Sequence, residues 1–470
     1  MRVLLVSPKN SFTDARPDWL RIPQLALPIL AALTPPGHEV ETVEEEYQHL
    51  PLEERWDVVG ITAMTATAPR AYELASLFRE RGAKVVLGGI HPSVLPQEAA
   101  RFADAVVVGE AEGVWAEVLD DARRDRLEQF YRNPQPDLSQ SPLPLRKRRR
   151  SLFGFPPYVM PIMASRGCPY DCEFCCVHGV YGRRQRHIPI DHIVEDIKRH
   201  GARHVMFLDD NIGGMRSYVM RLCAALKPLR VHWSGQASAR FILDNELFDA
   251  AVRCGLEGLF VGVESIEPEP HKKMRKSLPS IDLYEKAIRR CRSAGVLFYA
   301  SLIFGLDEQS PYVFERTLEF LTRNAVPSIS ANILTPYPGT PLFERFTRER
   351  RILHTNWSYY DHGTVCFQPK GMTPEELTEG YLEFRRRLFS WSSIAHRAAA
   401  QWRVAPLAYL GMNLACRRGT MVEEERSRGY FRWLRQEASV PTLEGIEVPA
   451  AGTGLKHLNF MRQPVWQSTS

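Results

Sequence analysis

Cysteine is absent from this 470-residue chain before Cys168, and no apolar run reaches the roughly 18 residues that mark a membrane-spanning helix. The N-terminus leads straight into a strand pattern and lacks the layout of a signal peptide. Outside one cluster the cysteines are scattered singly, which excludes a disulfide framework: Cys223, Cys254, Cys291, Cys366 and Cys416. These absences predict a cytoplasmic chain without a transmembrane segment.

The chain also lacks a strong charge bias, since its formal net charge is +5. Its one basic run, Arg146–Arg150, has no interleaved aromatic residues, so it predicts a solvated linker better than a nucleic-acid site. No nucleic-acid partner is therefore expected. The length and an ordinary hydrophobic content of 44% predict a globular protein of roughly two to four domains.

Potential metal-binding residues are most closely spaced in the loop Gly167–Cys175, where Cys168, Cys172 and Cys175 stand at i, i+4 and i+7. Structural zinc usually takes four ligands, and cubane iron–sulfur clusters normally take four cysteines. Three cysteines with no evident fourth favour a [4Fe-4S] cluster whose remaining iron can bind a small chelating molecule. A structural zinc loop and unligated surface cysteines are the alternatives. The adjacent Cys176 is expected to diverge from the cluster.

The loop resembles the signature of the radical SAM superfamily, C-x3-C-x-aromatic-C, with Phe174 at the aromatic position. The resemblance implies that the open iron chelates the amino and carboxylate groups of S-adenosylmethionine. It also implies that one electron, from a donor such as flavodoxin or ferredoxin, yields a 5′-deoxyadenosyl radical that abstracts hydrogen from the substrate. Cys168, Cys172 and Cys175 are then both cluster ligands and catalytic residues, and Phe174 belongs to the S-adenosylmethionine site.

Residues 1–135 alternate between β and α patterns, which predicts a doubly wound, Rossmann-like parallel sheet that binds its ligand at the carboxyl ends of the strands. The expected strands cover residues 3–7, 40–43, 57–62, 84–89 and 105–110. Small or polar residues follow these strands, and glycine there lets a bulky ligand approach the backbone. A nucleotide site is not favoured, because no G-x-G-x-x-G follows the first strand.

The loops Gly88–Ser93 and Val108–Glu112 resemble those of the cobalamin-binding domain that precedes the radical SAM core in the B12-dependent branch. The D-x-H-x-x-G motif of other cobalamin domains is absent, as is usual in this branch. A purely structural domain is the alternative, and His91 fits a structural loop histidine as well as a cobalamin contact. The implied cobalamin contacts are Ser7, Thr62, Ala63, Met64, Gly88, Gly89, His91, Gly109 and Glu110.

A proline-rich stretch, residues 136–157, predicts an extended linker. Residues 158–342 then show six βα repeats, which predict an open parallel barrel with its function at the carboxyl ends of the strands. The resemblance places S-adenosylmethionine there, with its contacts at Asp209, Asp210, Asn211, Gln236, Ser238, Arg240 and Glu264. The three residues from Asp209 on would meet its amino group, and Arg240 its carboxylate. Each residue could instead cap or salt-bridge the barrel rim, and the two aspartates could bind a divalent metal.

Residues 343–470 predict a mostly helical extension without a motif that names a substrate. Three roles are consistent with its sequence: a packed cap over the barrel mouth, a lid on a hydrophobic substrate, or a membrane-surface helix. The expected fold class is thus α/β: a Rossmann-like cobalamin-binding domain, a partial (β/α)6 TIM-type radical SAM barrel, and the helical extension.

The resemblance implies methylation of an unactivated carbon in a small-molecule or natural-product substrate, through the 5′-deoxyadenosyl radical and methylcobalamin. The alternative is a radical cyclase or rearrangement enzyme that transfers no methyl group. A methylthiotransferase is disfavoured, because its N-terminal domain carries its own cluster cysteines. A non-catalytic cobalamin sensor is disfavoured by the three-cysteine loop.

Overall fold

The computed structural model of the protein describes residues 1–10, 22–133, 135–146, 159–267, 280–401 and 406–437. These residues form two six-stranded sheets with helices packed on them, followed by a helical C-terminal segment. The α/β fold class expected from the sequence is confirmed.

The first sheet is built by alternating strands and helices: β1 Arg2–Ser7, α1 Ala26–Leu33, β2 Glu39–Glu44, β3 Val58–Thr62, α2 Ala68–Glu80, β4 Lys84–Gly88, α3 Ile90–Val94, α4 Pro96–Ala99, β5 Ala105–Gly109, α5 Trp115–Arg123 and β6 Phe130–Asn133. All neighbouring strands are parallel, in the order β2-β1-β3-β4-β5-β6. The residues Val3–Val6 of β1 are fully buried, because helices cover both faces of the sheet. The strand order reverses between β1 and β3, and ligands of such sheets bind in the crevice at that point.

Strand β6 is missing from the sequence prediction. It lies at the edge of the sheet beside β5 and reads Phe-Tyr-Arg-Asn, in which only Tyr131 is buried. A short, half-polar edge strand lacks the apolar run by which the other five strands were recognised.

The second sheet belongs to the predicted barrel, whose elements are β7 Val159–Ile162, β8 Ser165–Arg166, α6 Val177–Tyr181, β9 Arg186–His187, α7 Ile190–His200, β10 His204–Phe207, α8 Arg216–Leu226, β11 His232–Ala237, α9 Ala239–Leu243, α10 Asn245–Arg253, β12 Leu256–Glu264, α11 Ile281–Ser293, β13 Leu297–Phe304, α12 Val313–Arg323 and β14 Ser328–Ile333. Six strands pair in parallel in the order β7-β10-β11-β12-β13-β14. The short strands β8 and β9 form an antiparallel ribbon beside them. The six predicted barrel strands are confirmed.

The two faces of this second sheet differ in burial. On β13, Phe298 and Leu302 are each 1% exposed and pack in the main core, whereas Tyr299 and Ile303 on the opposite face keep accessible surface. Phe260 of β12 stacks on Tyr299, with ring centroids 4.9 Å apart. The inner face of the open barrel is therefore a partly apolar wall that remains accessible.

The C-terminal segment contains α13 Pro341–Arg348, α14 Pro374–Leu388, α15 Trp391–Gln401 and α16 Pro406–Glu437. It packs against the open edge of the barrel: the Tyr381 hydroxyl of α14 donates to the Ala331 carbonyl of β14 (3.1 Å). The Arg397 guanidinium is fully buried and donates to the Leu388 carbonyl (2.8 Å). The extension is therefore packed onto the edge strand of the barrel.

No helix among the described residues is both long and apolar enough to cross a membrane. In its described part, residues 136–146, the predicted linker contains the 3-10 turn Leu138–Gln140, and residues 141–146 have no regular structure. The rest of the linker lies outside the described residues, as do Lys147–Arg150 of the basic run and the tail from Val440.

Candidate functional site

The cysteine loop begins with a backbone turn that requires glycine. Gly167 has φ +90°, and a Cβ there would lie 2.7 Å from the Arg184 carbonyl oxygen. Cys172 is 8% exposed, while Cys168 and Cys175 are half-buried, and the Cys175 N–H donates to the Cys172 carbonyl (3.1 Å). The loop is therefore folded by its own backbone into a fixed arrangement of three thiols.

The spacing of these thiols bears on which metal group they fit. Among the described residues, no three His, Cys, Asp or Glu side chains converge closely enough to hold one ion. A cubane binds each cysteine through a different iron, so it fits thiols that are spread along a loop. Burial raises the pKa of the Cys175 thiol, and the nearby Cys176, Cys172 and Asp210 add to that increase. Binding of an iron–sulfur cluster by these thiols would therefore release protons.

The residues after β10 face the cysteine loop but differ in their partners. Asp209 is 2% exposed and accepts hydrogen bonds from the Ala164 N–H (2.9 Å) and the Ser165 hydroxyl. Burial raises its pKa to about 7, against the effect of these hydrogen bonds. Its geometry fits the rim-capping alternative, because its carboxylate joins the ends of two barrel strands.

Asp210 and Asn211 keep acceptor capacity toward the loop. The Asp210 carboxylate accepts the Gly167 N–H (3.2 Å), and burial raises its pKa to about 6. The Asn211 Oδ1 is buried and has no hydrogen-bond partner among the described residues. Buried acceptors of this kind are normally satisfied, so they fit a ligand that brings N–H donors, such as the ammonium group of an amino acid.

The predicted residues on the next two strands line the barrel rim. Gln236 is exposed on the inner face of β11, Ser238 is the N-cap residue of α9, and Arg240 is exposed as the second residue of that helix. Glu264 at the end of β12 is 7% exposed and has φ +60°, beside a register shift in the pairing with β13. A left-handed glutamate is uncommon and is found most often where function constrains the backbone.

Sequence reasoning missed Gln309, which organises the neighbouring part of the rim. Its side chain is 1% exposed and accepts the N–H groups of Gly305 (2.8 Å) and Leu306 (3.1 Å). It also donates to the Ile303 carbonyl (3.2 Å). No motif surrounds this glutamine, so nothing in the sequence marked it.

The predicted cobalamin loops meet at the carboxyl edge of the first sheet. The Ser93 hydroxyl donates to the Gly89 carbonyl (2.7 Å) and accepts the Gly109 N–H (2.9 Å), which ties the loops after β4 and β5 together. The other predicted residues at this edge are the half-buried Ser7, Thr62 and Gly88, the buried Ala63, and Met64, which is 56% exposed. Small residues beside one exposed apolar side chain leave an open edge that suits a large, partly apolar ligand.

Gly89→Ala is expected to destabilise the first sheet and weaken cobalamin binding, since Gly89 has φ +97° and a Cβ there would lie 2.7 Å from Thr62 Oγ1. The strain alone costs about 1–3 kcal/mol. Gly82→Ala is the matched control, because Gly82 has φ +83° but open space around the Cβ position. Thermal unfolding and a spectroscopic cobalamin titration compare the two variants. Equal losses in both would contradict a role for the close approach at Gly89.

His91 is enclosed rather than presented to a ligand. Its side chain is 0% exposed, with Nδ1 3.3 Å from Thr65 Oγ1 and Nε2 3.4 Å from Glu98 Oε1. Glu98 in turn accepts the indole N–H of Trp357 (3.0 Å), which belongs to the C-terminal segment. Of the two roles that the sequence left open for His91, its geometry fits the structural one.

Glu110 likewise contacts other protein residues instead of lining the open edge. Glu110 and Glu112, after β5, form ion pairs with Arg166 and Arg186 of the barrel, and we call these four residues the interdomain ion cluster. Arg166 is 8% exposed and lies 2.6 Å from Glu112. Burial lowers the pKa of Arg166, but the two carboxylates outweigh it and the net shift is upward. Glu110 therefore joins the two sheets, a role that the sequence did not predict.

This cluster reveals how the two sheets are arranged. Glu110 follows the carboxyl end of β5, and Arg166 ends β8, which follows β7 and stands two residues before Cys168. A second contact joins the same edges, because a Cβ on Gly339, after β14, would lie 2.8 Å from Val94 of α3. The ligand-binding ends of both sheets consequently face each other.

Comparisons with known proteins identify the family of each of the two sheets. The family model of the radical SAM superfamily matches residues 162–321, and that of the B12 binding domain matches residues 22–119. Bacteriochlorophyllide d C-12(1)-methyltransferase of Chlorobaculum tepidum is 31% identical over 73% of this chain and 76% of that protein. Bacteriochlorophyllide d C-8(2)-methyltransferase of the same organism is 29% identical over 79% of this chain and 87% of that protein.

A solved structure shares the fold. It is the radical S-adenosylmethionine methyltransferase TsrM from Kitasatospora setae, with tryptophan substrate and an S-adenosylmethionine analogue bound. The TM-score is 0.61 at 19% identity, over 74% of this chain and 76% of that one. The expectations of a radical SAM enzyme and of its three cofactors are confirmed. The chain belongs to the B12-binding radical SAM superfamily, as a methyltransferase-like enzyme that uses a [4Fe-4S] cluster, S-adenosylmethionine and cobalamin.

Proposed function

We propose that this enzyme methylates an unactivated carbon of a tetrapyrrole. The observation that carries the proposal is the opposition of the two sheets, in which the open edge at Gly89 and Met64 faces the barrel end that holds the cysteine loop. A methyl donor at one edge and a radical source at the other would share one crevice, and such proximity sets the site of reaction. The tetrapyrrole class is supported by the two relatives whose names specify bacteriochlorophyllide d.

The chain's own residues take distinct roles in this proposal. When bound, the cluster with S-adenosylmethionine supplies a carbon-centred radical, and cobalamin supplies a methyl group. Cys168, Cys172 and Cys175 hold the cluster, and Asp210 with the Asn211 Oδ1 accepts the ammonium group of S-adenosylmethionine. Gln236, Ser238, Arg240 and Glu264 bind the rest of that molecule along the rim, as the family resemblance implies.

The inner barrel face suits a large flat substrate. Its accessible side chains include Met206, the stacked pair Phe260 and Tyr299, and Ile303. Aromatic faces and a thioether pack well against an extended π-system. The polar side chains Ser330 and Asn332 lie on the neighbouring strand of the same face, where they can orient substituents of the ring.

Anaerobic reconstitution with iron, sulfide and hydroxocobalamin, followed by incubation with S-adenosylmethionine, a reductant and a chlorophyllide, tests the function. A product heavier by one methylene unit supports methylation. Formation of 5′-deoxyadenosine with a product of unchanged carbon count would contradict it and favour the radical rearrangement alternative.

Asp210→Asn is expected to weaken S-adenosylmethionine binding roughly tenfold to hundredfold, because a hydrogen bond to a charged group contributes about 1.5–3 kcal/mol. Asp171→Asn is the matched control: Asp171 lies in the cysteine loop that Asp210 contacts, but it pairs with Arg183 at 2.8 Å, a largely exposed side chain. The perturbation of the cluster spectrum on addition of S-adenosylmethionine measures both affinities. Unchanged binding in Asp210→Asn would remove this carboxylate from the proposed site.

A further inference from the structure

A histidine outside every sequence motif lies at the open edge of the barrel. The His362 carbonyl accepts the N–H of Ile333 (2.7 Å) at the carboxyl end of β14, so the segment before α14 extends that edge. His362 has φ +68°, a left-handed conformation that is uncommon for residues other than glycine. Such a backbone persists when its surroundings enforce it, which is frequent at ligand-binding sites.

The His362 side chain keeps accessible surface although neighbouring groups partly desolvate its ring. The residue is exposed, while the surrounding protein desolvates the imidazole and lowers its pKa. At neutral pH the imidazole is therefore uncharged and available as a ligand.

A hydrogen-bonded chain fixes which ring nitrogen carries the proton. The Tyr337 hydroxyl donates to the Tyr360 carbonyl (3.1 Å) and lies 3.0 Å from His362 Nε2. Because the Tyr337 hydroxyl donates its proton to the Tyr360 carbonyl, the histidine Nε2–H donates to the tyrosine oxygen. The other ring nitrogen, Nδ1, then keeps its lone pair. Histidines that bind metals are commonly held in this way, with the other nitrogen donating to a fixed acceptor.

Tyr337 also relates this histidine to the cysteine loop. It lies in the loop after β14, and Cys176 is among the groups that raise its pKa, after the larger effect of burial. The Gly339 carbonyl of the same loop lies 3.4 Å from the Cβ position of Gly179 in α6, the helix that follows the cluster cysteines. His362 thus belongs to the rim that surrounds the proposed reaction space.

We infer that His362 binds the central magnesium of the tetrapyrrole substrate as an axial ligand through Nδ1. This inference rests on the proposed function, since bacteriochlorophyllides are magnesium tetrapyrroles whose metal accepts a ligand perpendicular to the ring. A neutral imidazole nitrogen at the carboxyl end of β14 can hold the macrocycle at one depth and orientation. The stacked pair Phe260 and Tyr299 on the inner face of β12 and β13 can pack against the plane of the ring. The choice of the methylated carbon would then depend on this anchor.

The test measures binding of chlorophyllide and of its magnesium-free counterpart, pheophorbide, by absorption and fluorescence titration of the reconstituted enzyme. His362→Gly suits the left-handed backbone and removes the ligand. It is expected to weaken chlorophyllide binding at least about tenfold. Even the loss of a residue that only supports a metal ligand weakens metal binding by about 10- to 100-fold. Pheophorbide binding should not change, and added imidazole should restore the chlorophyllide spectrum. The matched control is His396→Ala, since His396 is exposed on α15.

The outcomes separate the two proposals. If chlorophyllide and pheophorbide bind the wild-type enzyme equally well, and His362→Gly alters neither, then the axial ligand is wrong while the substrate class stands. If neither pigment binds the wild-type enzyme, the substrate class fails and the inference falls with it. Chlorophyllide-selective binding that is lost in His362→Gly and recovered with imidazole supports both.

Discussion

Cys172→Ala is expected to abolish cluster assembly and, with it, all formation of 5′-deoxyadenosine and methylated product. Cys172 is the most buried of the three loop cysteines, and its carbonyl already accepts the Cys175 N–H, so the backbone of the loop does not need the thiol. The alanine variant removes one sulfur atom from a folded loop and leaves only two thiolates for a cluster that normally needs at least three from this motif. Iron and sulfide content, the cluster spectrum and product analysis measure the loss.

Cys176→Ala is the matched control for this experiment. Cys176 adjoins Cys175, and burial likewise raises the pKa of its thiol, but it falls outside the three-cysteine spacing. The control is expected to keep its cluster, and both variants should keep cobalamin affinity, because the cobalamin loops belong to the other sheet. If Cys176→Ala lost the cluster while Cys172→Ala retained it, the ligand set would be misassigned.

Local patterns predicted most of the fold. The apolar runs of the barrel strands and the amphipathic helix over residues 190–200 are recognisable in the sequence because each carries its own periodicity. Strand β6 was missed since its burial pattern depends on a neighbour, β5, rather than on its own composition. The cysteine loop was visible because the chemistry of a cluster imposes a spacing on the chain.

The partners of individual site residues were not predictable in the same way. His91 and Glu110 were both expected at the cobalamin edge, yet one is enclosed through Glu98 and Trp357 and the other is paired with Arg166. These partners lie far away in the chain, 259 positions apart for Glu98 and Trp357, and no local pattern links them. His362 was not predicted for the same reason, because its proposed role depends on the Tyr337 hydroxyl, which only the fold brings near.

Arg166→Met is expected to destabilise the packing of the two sheets by about 3–5 kcal/mol, because it leaves Glu110 and Glu112 buried without their shared cation. Their side chains are 2% and 9% exposed, so water cannot replace the guanidinium. Arg186 still pairs with Glu110, but among the described residues it forms no ion pair with Glu112. We expect a lower unfolding temperature and easier proteolysis between the two sheets.

Arg216→Met provides a matched control in which the arginine side chain is exposed instead of buried. Arg216 also bridges two carboxylates, Asp244 at 2.8 Å and Glu246, but it is 48% exposed, so solvent screening makes its loss far smaller. A further variant, in which Glu110→Gln and Glu112→Gln accompany Arg166→Met, should recover part of the lost stability, since neutral amides cost less to bury than unpaired carboxylates. If Arg166→Met were no more harmful than Arg216→Met, the interdomain ion cluster would not hold the sheets together, and apolar contacts such as that of Gly339 with Val94 would have to do so.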